Sequence, residues 1–374
     1  MSVYLDYNAT APVRPEAIRA MTLALEAAGN PSSVHAAGRA ARARLESARA
    51  DVAALVGATP AAVTFVSGGA EANALALESA VASGVTRIII SATEHDTIVE
   101  TANAMGLTVE TWPVDGQGLA DLAWLEGRLV SGERALVCLM LANNETGVIQ
   151  PVAEAAALVR AAYGWLHVDG VQAAGKIAIA MEALCADTLS LSAHKIGGPQ
   201  GVGALIAGPR ARLTRRLHGG GQERGLRSGT ENVPGIAGFG AAARVAFAGL
   251  PLMASQASWR DGLEADLIAA GAEVLGAVVP RLPQTLCVAI PGQASELQVI
   301  ALDLAGVMVS AGAACSSGKV KASRVVAAMG RPDLAPFSLR ISGGWASTAA
   351  DWRACAKALS DIQARRHARQ PQFA

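Results

Sequence analysis

The chain has 374 residues, 52% of them hydrophobic, 17% charged and 4% aromatic, which allows two or three domains at ~150 residues each and excludes a disordered chain. Its 31 Lys plus Arg balance 31 Asp plus Glu, so no electrostatic case exists for a nucleic-acid or anionic-membrane partner. No apolar stretch approaches the ~20 residues of a membrane span and no charged-then-apolar leader precedes Tyr4-Leu5-Asp6, so a soluble cytoplasmic protein is expected.

In chain order, residues 39–55 are Ala- and Arg-rich with helical spacing, and their arginines read as a solvated face. Short β-branched runs at 63–66, 87–91, 135–141, 166–169, 188–192 and 202–207 read as buried strands. Helical signals lie between them at 71–81, 96–105, 152–163 and 171–176. This alternation predicts an α/β fold with a mostly parallel central sheet covered by helices on both faces. A Gly-rich stretch from His218 to Gly229 interrupts the pattern, and past Phe239 comes an Ala-rich helix, then a bend near Pro251. From about residue 255 a helix–strand–helix pattern, with strand candidates at 273–279 and 285–290, predicts a smaller α+β domain. The tail from Arg365 is basic and Gln-rich and is expected to fray.

Five cysteines, widely spaced and without a CxxC pair, argue against a disulfide framework and against zinc. Cys138, Cys287 and Cys355 read as small core residues, and Cys185 as structural too. Cys315 differs: it sits among small residues in Ser310-Ala311-Gly312-Ala313-Ala314-Cys315-Ser316-Ser317-Gly318-Lys319, with Lys319 and Lys321 near enough to favour a thiolate.

In open α/β sheets ligands bind beyond the carboxyl ends of the strands, and the polar motifs of this half all fall there. Ser67-Gly68-Gly69-Ala70-Glu71 follows one strand and opens a helix, which suits a phosphate, although strand–Gly–Gly–helix turns are common. Thr93-Glu94-His95 follows another; His95 either faces a flat ring or caps the helix that begins near Asp96. Asn143-Asn144-Glu145 either bonds a ligand hydroxyl or closes a turn. His167 reads as flanking its strand. The segment Ser192-Ala193-His194-Lys195-Ile196-Gly197-Gly198-Pro199, with His167-Val168-Asp169 upstream, is the most specific. A lysine at a Gly-rich turn, with an Asp ending a neighbouring apolar run, matches what pyridoxal phosphate needs: an amine for its aldehyde and a carboxylate for its pyridine nitrogen. Arg224-Gly225-Leu226-Arg227-Ser228-Gly229-Thr230 suits a phosphate or carboxylate, or is an ordinary basic loop.

Taken together, these segments resemble the cysteine desulfurases of the class V aminotransferase-like, pyridoxal phosphate-dependent family. The resemblance runs almost end to end, from Tyr4-Leu5-Asp6-Tyr7-Asn8-Ala9-Thr10 and Gly29-Asn30-Pro31-Ser32-Ser33-Val34-His35 to Gly219-Gly220-Gly221-Gln222-Glu223-Arg224 and the Cys315 segment. It implies a fold type I homodimer, with residues 14–250 forming the large cofactor-binding α/β domain and 1–13 with 251–374 the small α+β domain that carries Cys315. It implies that Lys195 binds pyridoxal 5'-phosphate covalently, that Asp169 pairs with the ring nitrogen, that Gln172 bonds the ring hydroxyl and that His95 stacks on the ring. Gly69, Ala70, Ser192 and His194 would surround the phosphate, with Thr230 supplied by the partner chain. Arg340 would hold the substrate carboxylate, with Asn144 beside it; a planar guanidinium suits that bidentate task. The implied reaction takes sulfur from L-cysteine to a persulfide on Cys315, releases L-alanine, and passes the sulfur to an acceptor protein such as an iron–sulfur scaffold, or to a thio-cofactor route.

The chain departs from this family in four places. Ala70 stands where a Thr is usual, which removes a hydroxyl donor from the phosphate. Ala11 and Ala74 replace a Thr and an Asn, and Gly343-Gly344-Trp345 replaces a Leu-Gly-Arg. An aminotransferase of the same fold would need no loop thiol, so Cys315 counts against that rival; selenocysteine preference is left open, and a non-catalytic scaffold is disfavoured because Lys195, Asp169 and Cys315 are all present.

Overall fold

The computed structural model describes residues 2–130, 132–312 and 322–369, with the side chains of 366–369 excluded. The strands are β1 (Val3–Tyr4), β2 (Val63–Val66), β3 (Arg87–Ser91), β4 (Thr108–Trp112), β5 (Ala135–Cys138), β6 (Trp165–Asp169), β7 (Thr188–Ser192), β8 (Gly203–Ala207), β9 (Glu273–Val274), β10 (Thr285–Ala289), β11 (Val307–Met308), β12 (Ser310–Ala311) and β13 (Ser338–Ser342). The helices are α1 (Pro15–Leu25), α2 (Ala36–Leu55), α3 (Gly69–Ala82), α4 (Asp96–Asn103), α5 (Leu122–Leu129), α6 (Val152–Ala161), α7 (Met181–Leu184), α8 (Val233–Ala248), α9 (Leu250–Ala269), α10 (Ser295–Leu304), α11 (Arg324–Ala328) and α12 (Ala349–Arg369).

Among the described residues the main sheet has seven strands in the order β2-β8-β7-β6-β5-β3-β4. Strands β4, β3, β5, β6 and β7 are parallel; β8 runs against both of its neighbours. β2 therefore points the same way as β7, and the carboxyl ends of six strands meet on one side. Strands β3, β6 and β7 are buried along their whole length, because one apolar cluster covers each face of the sheet. With so few aromatic rings, the helical layer packs by close approach of small residues. A Cβ on Gly240 of α8 would lie 2.5 Å from the Ala48 Cα of α2, so the two helices cross in near backbone contact.

A second sheet, β12-β13-β10-β9, is antiparallel and carries its own apolar cluster under α9 and α12. The N-terminal segment joins this part: β1 pairs with β11, and Asp6 bridges to Ser342. From there it crosses to the main sheet, where Ala11 N–H bonds His194 O and Arg14 N–H bonds Gly197 O.

Several expectations need correction. Residues 171–176 are a run of turns rather than a helix, because Gly175 takes a left-handed φ of 69°. The candidate strand at 273–279 ends at Val274, before Gly276 at φ 73°. β4 and α5 lie where no element was predicted; β4 is an edge strand whose Thr-Val-Glu-Thr-Trp pattern has no continuous apolar run. Arg49 is buried rather than part of a solvated face, its guanidinium paired with Glu223 and over the Phe65 ring. Cys185, read as structural, is exposed; it adopts φ 51° at the end of α7 and its thiol donates to Glu182 O.

Candidate active site

The strand ends converge on a cavity of about 470 Å³. Of the residues singled out in the sequence, Gly69, Ala70, His95, Asn144, Asp169, Gln172, Ser192, His194, Lys195 and Arg340 line it. They come from the ends of β2, β3, β5, β6 and β7 and from the middle of β13. Thr230 does not line this cavity; it lies on the surface of its own chain. Cys315 lies outside the described residues.

Lys195 ends the short 3-10 turn that follows β7, and its Nζ donates to Asn8 O at 2.6 Å and Ala9 O at 2.8 Å. The N-terminal segment is therefore draped over the lysine, and its seating explains the glycine that follows. Gly197 has φ 86°, and a Cβ there would meet Arg14 Cγ at 2.6 Å. Arg14 in turn donates to Ile196 O and lies 5.0 Å from the Trp345 ring centroid. Trp345 Nε1 donates to Pro12 O. Trp345 thus pins the segment that covers Lys195, and Gly344 admits the Tyr7 ring, which a Cβ would meet at 1.9 Å.

Asp169, at the end of β6, accepts from Val171 N–H at 3.0 Å and from Asn73 Nδ2 at 3.1 Å. Asn73, on α3, is a residue the motif reading did not single out. With its amide nitrogen given to a carboxylate, its Oδ1 must accept, and His167 Nε2 lies 3.0 Å away. The neutral ring then keeps its proton on Nε2 and accepts from Thr188 Oγ1 at Nδ1. Burial drives the His167 pKa down to about 4 against the pull of Asp169. His167 is thus a neutral donor two positions behind the carboxylate.

The other wall suits an anion. α3 begins at Gly69 behind the N-cap Gly68, which offers no side-chain acceptor to the first-turn N–H groups, and the helix dipole adds positive potential there. A Cβ on Gly68 would enter open space, whereas one on Gly203 would strike the Gly68 backbone at 2.6 Å. The glycine of β8 lets the cradle close in, and the glycine of the cradle keeps it open. His194 faces Thr10 Oγ1 at 3.1 Å; burial, then the charges of Lys195 and Lys176, hold its pKa near 4.

Of the two readings of His95, the structure shows the helix cap, and it places the residue on the cavity wall. Its Nδ1 accepts from Thr97 N–H at 3.1 Å as the cap of α4, which leaves the proton of the neutral ring on Nε2, and the ring lines the cavity. Gln172 donates to Asn8 O at 2.9 Å and accepts from Lys176 Nζ at 2.5 Å. Lys176 is buried, and desolvation with the nearby Lys195 and Arg340 pushes its pKa well below the usual lysine range. Arg340 gives Nη2 to Asp6 at 2.8 Å and Nη1 to Asn144 O at 3.2 Å; its Nε is buried with no partner among the described residues.

These groups fit pyridoxal phosphate: an amine for the aldehyde, a buttressed carboxylate for the ring nitrogen, and an uncapped helix start for the phosphate, where Ala70 brings no hydroxyl.

The family model for class-V aminotransferases matches residues 3–352. A cysteine desulfurase of Cereibacter sphaeroides is 43% identical over 93% of this chain and 92% of its own length. One of Enterobacter agglomerans is 41% identical over 91% of this chain and 87% of its own. The X-ray structure of a NifS-like protein from Rickettsia africae superposes with a TM-score of 0.88 at 34% identity, covering 97% of this chain and 99% of the other.

Proposed function

The chain belongs to the class-V aminotransferase family and acts as a pyridoxal phosphate-dependent cysteine desulfurase, and we propose that Cys315 is the thiol that takes the sulfur of L-cysteine. The observation that carries the residue assignments is the joint placement of Lys195, Asp169, the uncapped start of α3 and Arg340 around one cavity.

Bound there, the cofactor supplies an electron sink for the substrate Cα, which makes the substrate C–S bond breakable. Arg340, on the cavity wall, receives the substrate carboxylate, while Asp6 and Asn144 O fix the guanidinium plane. Asp169, held by Asn73 and Val171 N–H, keeps the ring nitrogen protonated. Lys195 moves the proton at the substrate Cα. His95, with its Nε2 proton, serves the substrate sulfur. The Cys315 thiolate attacks that sulfur; the S–S bond forms as the C–S bond breaks, and the substrate carbon takes a proton to become L-alanine. Thiol and thiol give alanine and persulfide, so no external oxidant is needed.

Two chains form the working unit in this reading. The outward-facing Thr230 reaches the phosphate of the partner, and the persulfide sulfur passes to an acceptor protein such as an iron–sulfur scaffold. The enzyme works in the cytoplasm; among the described residues no single helix is long and apolar enough to cross a membrane.

The test is Cys315→Ser with L-cysteine and a thiol reductant, reading alanine, sulfide and the cofactor absorbance. The variant should stay coloured and form neither product. Alanine and sulfide at the wild-type rate would remove Cys315 from the mechanism.

A further inference from the structure

β2 is an edge strand of the main sheet and leads directly into the phosphate cradle. Its outer edge exposes Val63 O and Phe65 N–H, which an isolated edge would leave to water. Here side chains satisfy them. Glu223 accepts Phe65 N–H at 2.8 Å, Arg49 Nη1 donates to Val63 O at 3.0 Å, and the Arg224 guanidinium also donates to Val63 O. Glu223 and Arg49 are joined by two parallel hydrogen bonds of 2.8 Å each, both groups buried.

The turn that brings Glu223 there is strained. Glu223 (φ 44°, ψ 44°) and Arg224 (φ 57°, ψ 31°) are consecutive left-handed residues, and neither is glycine. Such a pair persists only where surrounding contacts over-determine it. A second grip lies three residues on. Arg227 Nε donates to Glu71 Oε1 at 3.1 Å, and Glu71 Oε2 accepts Ser67 N–H at 2.7 Å, the first residue of the cradle. Burial opposes the Glu71 charge, but the bonds from Arg227 and Ser67 outweigh it and hold its pKa below the usual range. Between the two grips a narrow cleft is lined by Ser67, Gly201, Glu223 and Arg227, and Ser67 and Gly201 also line the main cavity.

We propose that the strained 222–227 turn is a positioning device for the phosphate cradle, with Glu223 and Arg227 as its positioning residues. Neither lines the cofactor cavity. The turn holds both the strand that ends in the cradle and the glutamate that fixes its first N–H. The inference rests on the cofactor assignment made under Proposed function.

The experiment follows release of pyridoxal phosphate from holoenzyme, well below the melting temperature, in wild type, Glu223→Gln and Arg227→Met. Limited trypsin digestion and melting curves are run alongside. Release should quicken about tenfold in both variants, the scale expected when a charge-assisted hydrogen bond is lost. The absorbance maximum should not move, because Lys195 and Asp169 are untouched, and trypsin should cut faster at Arg215, Arg216 or Arg224. Unchanged release with a lowered melting temperature would overturn the proposal and leave the pairs a purely stabilising role. If Glu223→Gln does not fold, the milder Arg227→Met decides, since its side chain is 27% exposed. A wild-type protein that takes up no pyridoxal phosphate would sink the cofactor reading itself, and this inference with it.

Discussion

At the residue scale, Asp169, Lys195 and several other polar groups that line the cavity were legible in the sequence, whereas Asn73, Thr97 and Gln200, which also line it, were not. Asp169 and Lys195 stand out because a charged residue at the end of an apolar run is costly unless it has a task. Asn73 has no such mark: an amide inside an Ala- and Leu-rich helix reads as one more helical residue. Only the fold shows that it ties His167 to Asp169. Removing it leaves a buried carboxylate oxygen and a buried imidazole N–H unpaired, each costing about 1–3 kcal/mol. Asn73→Ala should therefore lower stability by about 2–6 kcal/mol, an upper range because water admitted to the space would recover part of it. It should also weaken the cofactor's ring contact. Chemical denaturation of the apoprotein, with cofactor absorbance of the reconstituted form, would check both. A variant as stable as wild type would show that Asp169 needs no support from α3.

At the element scale, strands buried on both faces were the easiest to place, since continuous β-branched runs leave little alternative. Elements shaped by one backbone angle were the hardest. Residues 171–176 carry helical composition, and the chain does begin to turn there: Ala174 N–H bonds Gly170 O and Ile177 N–H bonds Ala173 O. Gly175, at φ 69°, then breaks the run and aims Lys176 inward at Gln172. No composition-based pattern reports a left-handed glycine. A Cβ at this position would lie 3.0 Å from both Ala246 Cβ and Ile196 Cγ2, so strain and crowding add. Gly175→Ala should cost about 1–3 kcal/mol, read as a lower denaturant midpoint at unchanged slope. An unchanged midpoint would mean that the turn can relax without disturbing α8. The Arg49 misreading has a related origin: helical periodicity sets which way a side chain points, but not whether a distant loop arrives to bury it.

At the scale of the whole molecule, the region where the two sheets meet is built from groups whose protonation differs between folded and unfolded chains. Burial lowers His167 and His194 to about 4 from the usual 6.5. Burial, with Asp169 adding to it, raises Glu94 to about 8; burial raises Glu145 to about 7, against Ser323 and two arginines. Glu145 spans the junction, accepting from Ser323 Oγ beside α11 while a Cβ on Gly312 would meet its Oε2 at 2.7 Å. The two sets act with opposite signs. Between about pH 4 and 6.5 the native histidines hold fewer protons than the unfolded chain, so their contribution is lost as pH falls. Above 4.5 the native glutamic acids hold more protons than the unfolded chain, so theirs is lost as pH rises towards 7 and 8. From 4.5 to 6.5 the slopes of these four groups oppose each other, which predicts a plateau in apoprotein stability with an acid limb below it; above 6.5 the glutamic acids pull stability down while Lys176, held well below the usual lysine range, pulls it up. Glu145→Gln keeps an acceptor for Ser323 but cannot titrate. It should remove one opposing slope, so that stability rises with pH between 4.5 and 6.5 where the wild type is flat. Denaturant midpoints across that range would show it. Parallel curves for variant and wild type would mean that Glu145 is ionised in the folded protein and that the junction tolerates its charge.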